Sequence, residues 1–217
     1  MKKKIYFILL IFFICPVFAG EIFDKSFEKL SKQDKAVIEN VNDYFNSVES
    51  FKSEFMQFNN ADSTVAEGNF YMQKPNLLRF EYTYPFKTLL ILNGSIIHYY
   101  DVELDEVTTL SKSVNPVFDL LSKQQNLAEL DSKILGVKNE NQKYYINTEL
   151  NITNKDEADK YNVVYIFNNN IDVLEGLKLN NGNGVIELKF SKTGKNIKIS
   201  KDKFIFKNPR LYKNRRK

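Results

Sequence analysis

The residues able to do chemistry in this chain are few. Among 217 residues there is one His, one Cys and no Trp. A Ser, Cys or Thr nucleophile needs a His or Lys base beside it. The lone His98 lies in a run of strand-like residues, where a histidine in a sheet is the ordinary reading. Zinc sites built from Cys and His are excluded by count. No phosphate-binding GxxxxGK[ST] or dinucleotide-binding GxGxxG pattern occurs. The remaining chemical candidate is acidic. Asp101, Glu103 and Asp105 alternate and would share one face of a continued strand, with Glu106 adjacent, an arrangement of oxygens that suits hard cations. It lacks the glycine of a calcium loop, so a solvated face or turn is the expected reading. Nothing singles out a catalytic carboxylate pair.

The N-terminus reads as an export signal. Lys2, Lys3 and Lys4 precede an apolar run from Ile5 to Phe18, and Val17 and Ala19 are small residues placed for cleavage after Ala19. The run is shorter than the ~20 residues of a spanning helix, which leaves an uncleaved anchor as the alternative. A lipidation signal needs a small residue before its cysteine, and Ile14 precedes Cys15. Loss of residues 1–19 would take the formal charge from +4 to about +1 and leave no cysteine. Near-neutrality argues against a nucleic-acid partner. Stability must then come from the core without disulfides. Residues 20–217 are expected to form a single domain with a basic, loose C-terminal tail.

Periodicity supplies the elements. Val37, Val41, Tyr44, Phe45 and Val48 recur at helical spacing, with Ser31 placed to cap the start and Asp34 three residues on. The period then changes to two. Phe51, Ser53, Phe55 and Gln57 alternate with Lys52, Glu54 and Met56. Phe70, Met72 and Lys74 share one face, and Leu78, Phe80, Tyr82 and Tyr84 share another run's face. Leu89 to Leu92 is apolar throughout and so is expected to be covered on both sides. Asn93-Gly94 is the strongest hairpin signal, and Ile96, His98, Tyr100, Val102 and Leu104 follow at period two. Asn115-Pro116 predicts a helix start, with Val117, Phe118, Leu120 and Leu121 as its stripe. Further strands are predicted over Lys143–Thr153, Tyr161–Phe167, Val173–Leu179, Val185–Phe190, Asn196–Ser200 and Lys203–Phe206. Asn154–Lys160 reads as a charged loop, and Asn180–Gly184 and Thr193-Gly194 read as turns. The whole predicts a mainly β (α+β) fold, a large curved antiparallel sheet with a few helices on one face and an apolar pocket between them.

The segment Gly68 to Tyr82, GNFYMQKPNLLRFEY, followed by Tyr84-Pro85, Leu90-Ile91-Leu92-Asn93-Gly94, Tyr99-Tyr100-Asp101 and Val107-Thr108, resembles the outer-membrane lipoprotein carrier family, LolA. Val48 to Gln57 is similar to that family's helix-to-strand junction, Asn115-Pro116 with Leu120-Leu121 to its lid-helix start, and Phe204 to Pro209 to its closing strand. The resemblance implies an incomplete antiparallel β-barrel with a helical lid enclosing an apolar cavity. In that cavity Phe51, Phe55, Phe70, Met72, Leu78, Phe80 and Tyr82 would line or back the acyl chains of lipoproteins, and Phe45 and Phe118 would contribute from the lid. The same residues also suit an ordinary core.

The resemblance further implies a monomeric periplasmic chaperone of a Gram-negative bacterium, without cofactor or catalysis. It would be loaded by an inner-membrane ABC transporter complex and unloaded to an outer-membrane lipoprotein acceptor. The family often carries arginine before the proline of Lys74-Pro75, where it bonds the lid backbone. Lysine lacks the planar fork, so lid gating through Lys74 and Pro75 is an expectation with a weaker clasp. The alternatives are a lipid-binding or envelope-sensing module of the same fold, a lipidated acceptor, and a secreted hydrolase.

Overall fold

The computed structural model describes residues 30–111, 134–154, 157–180 and 184–209. Helix α1 spans Lys32–Ser47. The Ser31 hydroxyl accepts from the Asp34 amide at 3.2 Å and the Asp34 carboxylate accepts from the Ser31 amide at 2.6 Å. This reciprocal pair satisfies donors that a helix start otherwise leaves open. Val37, Val41 and Tyr44 are buried as the spacing predicts, Ile38 joins them, and Phe45 is partly buried. No helix among the described residues is long and apolar enough to cross a membrane.

Eleven strands follow: β1 (Ser50–Asn59), β2 (Thr64–Gln73), β3 (Leu77–Tyr84), β4 (Thr88–Asn93), β5 (Ile96–Asp101), β6 (Glu106–Ser111), β7 (Ile134–Glu140), β8 (Lys143–Asn154), β9 (Glu157–Asn168), β10 (Leu174–Asn180) and β11 (Val185–Lys195). They form one antiparallel sheet in the order β6-β5-β4-β3-β2-β1-β11-β10-β9-β8-β7. The sheet is open, with β6 and β7 at its edges. One face of both arms feeds a single apolar cluster that runs from Ile97 on β5 to Ile134 on β7 and includes the stripe of α1. The sheet therefore curls around its own helix, the curved sheet that the patterning predicts and the incomplete barrel that the resemblance implies.

Alternation decides which residues enter this core. Phe51, Ser53, Phe55 and Gln57 are buried while Lys52, Met56 and Phe58 are exposed. Phe70, Met72, Leu78, Phe80 and Tyr82 point inward, and Phe70 pairs directly with Phe80, their ring centroids 4.6 Å apart. Tyr84 leaves that face and is exposed, because β3 ends there. The Asn93-Gly94 hairpin is present one residue further on. Asn93 pairs with Ile96, and Gly94 takes φ +65° in the two-residue turn, a value open to glycine at little cost.

The outer face of β3 to β5 is covered as well. Residues Lys201–Phe204 form a 3-10 turn that packs on β3 and β4. Arg79 donates to the Lys203 carbonyl at 2.8 Å and Asn93 to the Phe204 carbonyl at 3.2 Å. Phe206 stacks on His98 at 4.8 Å. Ile91 faces this side, in register with Arg79 and His98, and is fully buried. Both-sided burial of Leu90 to Leu92 thus has a cause, the C-terminal segment.

That segment corrects the strand predicted at Lys203–Phe206. Its carbonyls are taken by side chains of β3 and β4, not by a ladder. Asn196–Ser200 is likewise not a strand. Asn196 sits at φ +55°, turning the chain away after β11. Thr193-Gly194 is not a turn but part of β11, beside a bulge where Lys192 is at φ +51° and the register against β1 slips. The charged stretch 154–160 is not a loop either. β8 and β9 stay paired out to Asn154 and Glu157. β6 and β7 are added strands that the sequence reading omits, and the period-two run predicted from Ile96 to Leu104 ends at Asp101. The predicted helix at Asn115-Pro116, with Phe118, lies outside the described residues, as do the predicted export signal and the tail from Arg210.

Candidate functional site

The chemical candidates resolve to structural roles. The acidic residues after Tyr100 do not share a strand face, because β5 stops at Asp101. The Asp101 carboxylate accepts from the Glu103 and Leu104 amides at 2.9 Å each, and Asp105 accepts from the Tyr100 hydroxyl at 2.9 Å. This is a turn organised by its own carboxylates. No group of three or more His, Cys, Asp and Glu placed to hold a metal exists among the described residues. His98 contacts the Thr109 hydroxyl at 3.2 Å on the outer face, and burial under Phe206 lowers its pKa.

The inner face builds a different kind of site. Between α1 and the sheet lies an apolar cavity bounded by Tyr44, Phe45 and Val48 from the helix side. Phe51, Phe70 and Met72 bound it from β1 and β2, Lys74 from the turn after β2, and Tyr165, Leu174, Leu177 and Phe190 from β9, β10 and β11. The rings interlock edge to face: Phe45 on Tyr165 at 5.2 Å and on Phe167 at 5.8 Å, Phe51 on Phe190 at 5.7 Å. Such contacts add to the apolar burial itself. The cavity encloses only about 30 Å³ of free space. Ligand pockets run to roughly 300–1,000 Å³. The wall is therefore closed down on itself, and any chain-like guest must displace α1 or the side chains it carries.

One cationic side chain, Lys74, belongs to the lining. The ammonium of Lys74 donates to the Phe45 carbonyl at 2.5 Å. Phe45 lies in the last turn of α1, where the helix dipole is negative, and its carbonyl also accepts from the Val48 amide at 3.4 Å. The helix has no basic residue of its own there. Lys74 supplies the cation from the β2–β3 turn, and burial lowers its pKa. Asn196 pins the same junction from β11. It donates to the Ser47 carbonyl at 2.7 Å and accepts from the Glu49 amide at 2.8 Å.

Of the expected site residues, Phe45, Phe51, Phe70, Met72 and Lys74 meet at this cavity. Phe55, Leu78, Phe80 and Tyr82 lie on the same inner face but further along it. Phe55 packs on Phe80 and Tyr82 at 5.5 and 5.1 Å, and the Tyr82 hydroxyl donates to Gln57 at 3.0 Å. Pro75 is exposed in the turn. Tyr165, Leu174, Leu177 and Phe190 belong to the lining without having been singled out. Their only signal is alternation within strands of the second arm. A wider depression of about 470 Å³ lies where Gly68 thins the sheet, but Glu54, Glu67 and Lys189 line it. Those charges make it unsuited to a hydrocarbon guest.

Residues 46–207 match the family model described as outer membrane lipoprotein carrier protein LolA. An uncharacterized protein of Rickettsia prowazekii (strain Madrid E) is 27% identical over 174 residues, covering 79% of this chain and 78% of the relative. An outer-membrane lipoprotein carrier protein of Methylococcus capsulatus is 39% identical over 41 residues, 19% of this chain and 20% of the relative. A LolA superfamily protein from Nitrosomonas europaea, known as a crystal structure, aligns with a TM-score of 0.46 at 8% identity. It covers 80% of this chain and 97% of that one.

Proposed function

The chain belongs to the LolA family of outer membrane lipoprotein carriers, and on that premise we propose that it shelters the acyl chains of lipoproteins in the cavity under α1. The observation that carries the reading is the cavity itself. It is lined almost wholly by aromatic and aliphatic groups, and the Lys74 ammonium in its lining bonds the Phe45 carbonyl of α1.

A methylene moved out of water gains roughly 0.8 kcal/mol. Acyl chains of ~16 carbons would therefore cost on the order of tens of kcal/mol to expose, and unassisted passage through an aqueous space fails. The carrier competes with a bilayer, not with water, so its net gain is small. Loading then draws on energy from an inner-membrane ABC transporter complex, and unloading runs downhill to an outer-membrane acceptor. The compartment is the periplasm. A soft wall suits exchange, and Met72 among phenylalanines adapts to irregular guests.

In this reading Phe45, Phe51, Phe70 and Met72 touch the chains, while Phe55, Leu78, Phe80 and Tyr82 back them. Lys74 is the latch, and Pro75 shapes the turn that presents it. The carrier binds and releases its cargo without chemistry upon it. Native mass spectrometry of protein taken from its own periplasm tests the proposal. Co-purified lipoprotein supports it, and free lipid or no ligand overturns it. A Lys74→Leu protein that loads and releases lipoprotein normally removes Lys74 from the gate.

A further inference from the structure

Five buried side-chain atoms have no hydrogen-bond partner among the described residues: Ser53 Oγ, Gln73 Oε1, Asn147 Oδ1, Tyr165 OH and Glu175 Oε2. Of these residues only Tyr165 lines the cavity. Its side chain is 1% exposed, and its strand neighbours in register are Ile146 on β8 and Leu177 on β10, both apolar. Burial raises the phenol's pKa far above neutrality, so it remains a hydrogen-bond donor.

A buried hydroxyl left unpaired is unfavourable. This chain uses phenylalanine freely, 18 times, and places Phe167 two residues further along the same strand face. A phenylalanine at 165 would fill the wall without an orphaned donor. Water is a poor partner here. A buried water needs two to four polar contacts. The Lys74 ammonium is engaged with Phe45, and the Tyr44 hydroxyl accepts from the Leu174 amide at 3.4 Å. A hydrocarbon chain offers no acceptor, but the linkage that attaches an acyl chain carries a carbonyl oxygen.

We propose that Tyr165 is the cavity's polar anchor, donating to the carbonyl oxygen of an acyl ester or amide, so that the site selects acylated cargo over plain hydrocarbon. This rests on the cavity being an acyl-chain site. It adds that the linkage is read as well as the chain.

The test compares three synthetic lipopeptides of equal chain length: a diacyl ester, an N-acyl amide and a dialkyl ether without carbonyls. Binding is measured to the full protein and to Tyr165→Phe. The wild type should hold the ester, the amide or both about tenfold tighter than the ether, and the preferred one identifies the linkage. Tyr165→Phe should bind all three as the wild type binds the ether. Equal binding of all three by the wild type overturns the anchor while leaving the acyl cavity intact, as does discrimination that survives in Tyr165→Phe. Binding of none overturns the cavity reading itself. Without ligand, Tyr165→Phe should melt at the wild-type temperature or above. A lower melting temperature would reveal a partner for the hydroxyl in the empty protein and overturn the anchor too.

Discussion

The Lys74 ammonium and the Phe45 carbonyl oxygen, 2.5 Å apart, join the turn after β2 to the last turn of α1. Lys74→Met keeps the apolar stem and removes the donor. Lys74 is half-buried, so the loss is about 1 kcal/mol after discounting for solvent. Amide hydrogen exchange should quicken about fivefold along α1 and stay unchanged in β1 to β4. Equal protection of α1 in both proteins would show that packing alone holds the helix down.

Alkaline stability follows from buried phenols. Burial raises the phenols of Tyr44, to about 12, and of Tyr82, Tyr99 and Tyr165. In the unfolded chain each titrates near 10. Above that pH the unfolded chain binds fewer protons than the folded one, and stability falls as pH rises. Lys74 acts in the opposite sense, since its pKa lies below 10.5 when folded. Four phenols outweigh one amine. Urea unfolding between pH 8.5 and 11 should show a plateau to about pH 10 and then a decline, each phenol contributing a slope of up to about 1.4 kcal/mol per pH unit. Tyr82→Phe should flatten it.

The outer strap makes a separable prediction. Phe204 is 1% exposed and anchored on the convex face of β3 and β4. Phe204→Ala should cost about 3 kcal/mol in chemical denaturation. Phe206→Ala should cost less, because Phe206 is only half-buried. Neither should change lipid binding by the folded protein, since the cavity opens on the other face.

Gly68 is required by closeness rather than by dihedral angle. A Cβ built there would lie 2.1 Å from the Glu81 carbonyl oxygen, part of the neighbouring strand's backbone. Gly68→Ala should cost about 3 kcal/mol through forced separation of β2 and β3. A melting temperature within a degree of wild type would contradict this.

The first arm as far as β5 was legible because its residues alternate cleanly and its caps and turns carry strong signals: Ser31 with Asp34, Lys74-Pro75-Asn76, and Gly94. The second arm was less so. β7, ILGVKNE, has weak alternation and a glycine at its third position. The polar ends of β8 and β9 pair through backbone bonds that side-chain pattern does not report. The cavity was half legible. Phe51, Phe70 and Met72 share a face by parity, which sequence shows. Tyr165, Leu174, Leu177 and Phe190 join them only through the curl of the sheet, which no local spacing encodes. Lys203–Phe206 misled because aromatic alternation looks the same in a strand and in a strap tied down by Arg79 and Asn93.

The strand order also sets how the chain must assemble. Among the described strands every pairing but one is between neighbours in sequence, and the exception, β1 with β11, joins Phe51 to Lys195 at the centre of the sheet. Closing that seam carries the largest loop entropy, so the meeting of two preformed meanders there is the step expected to be slow. Until they meet, each presents a bare inner edge able to accept the other half from a second copy. Chain concentration during folding and any exchange of halves between copies would therefore be linked through a single pair of strands.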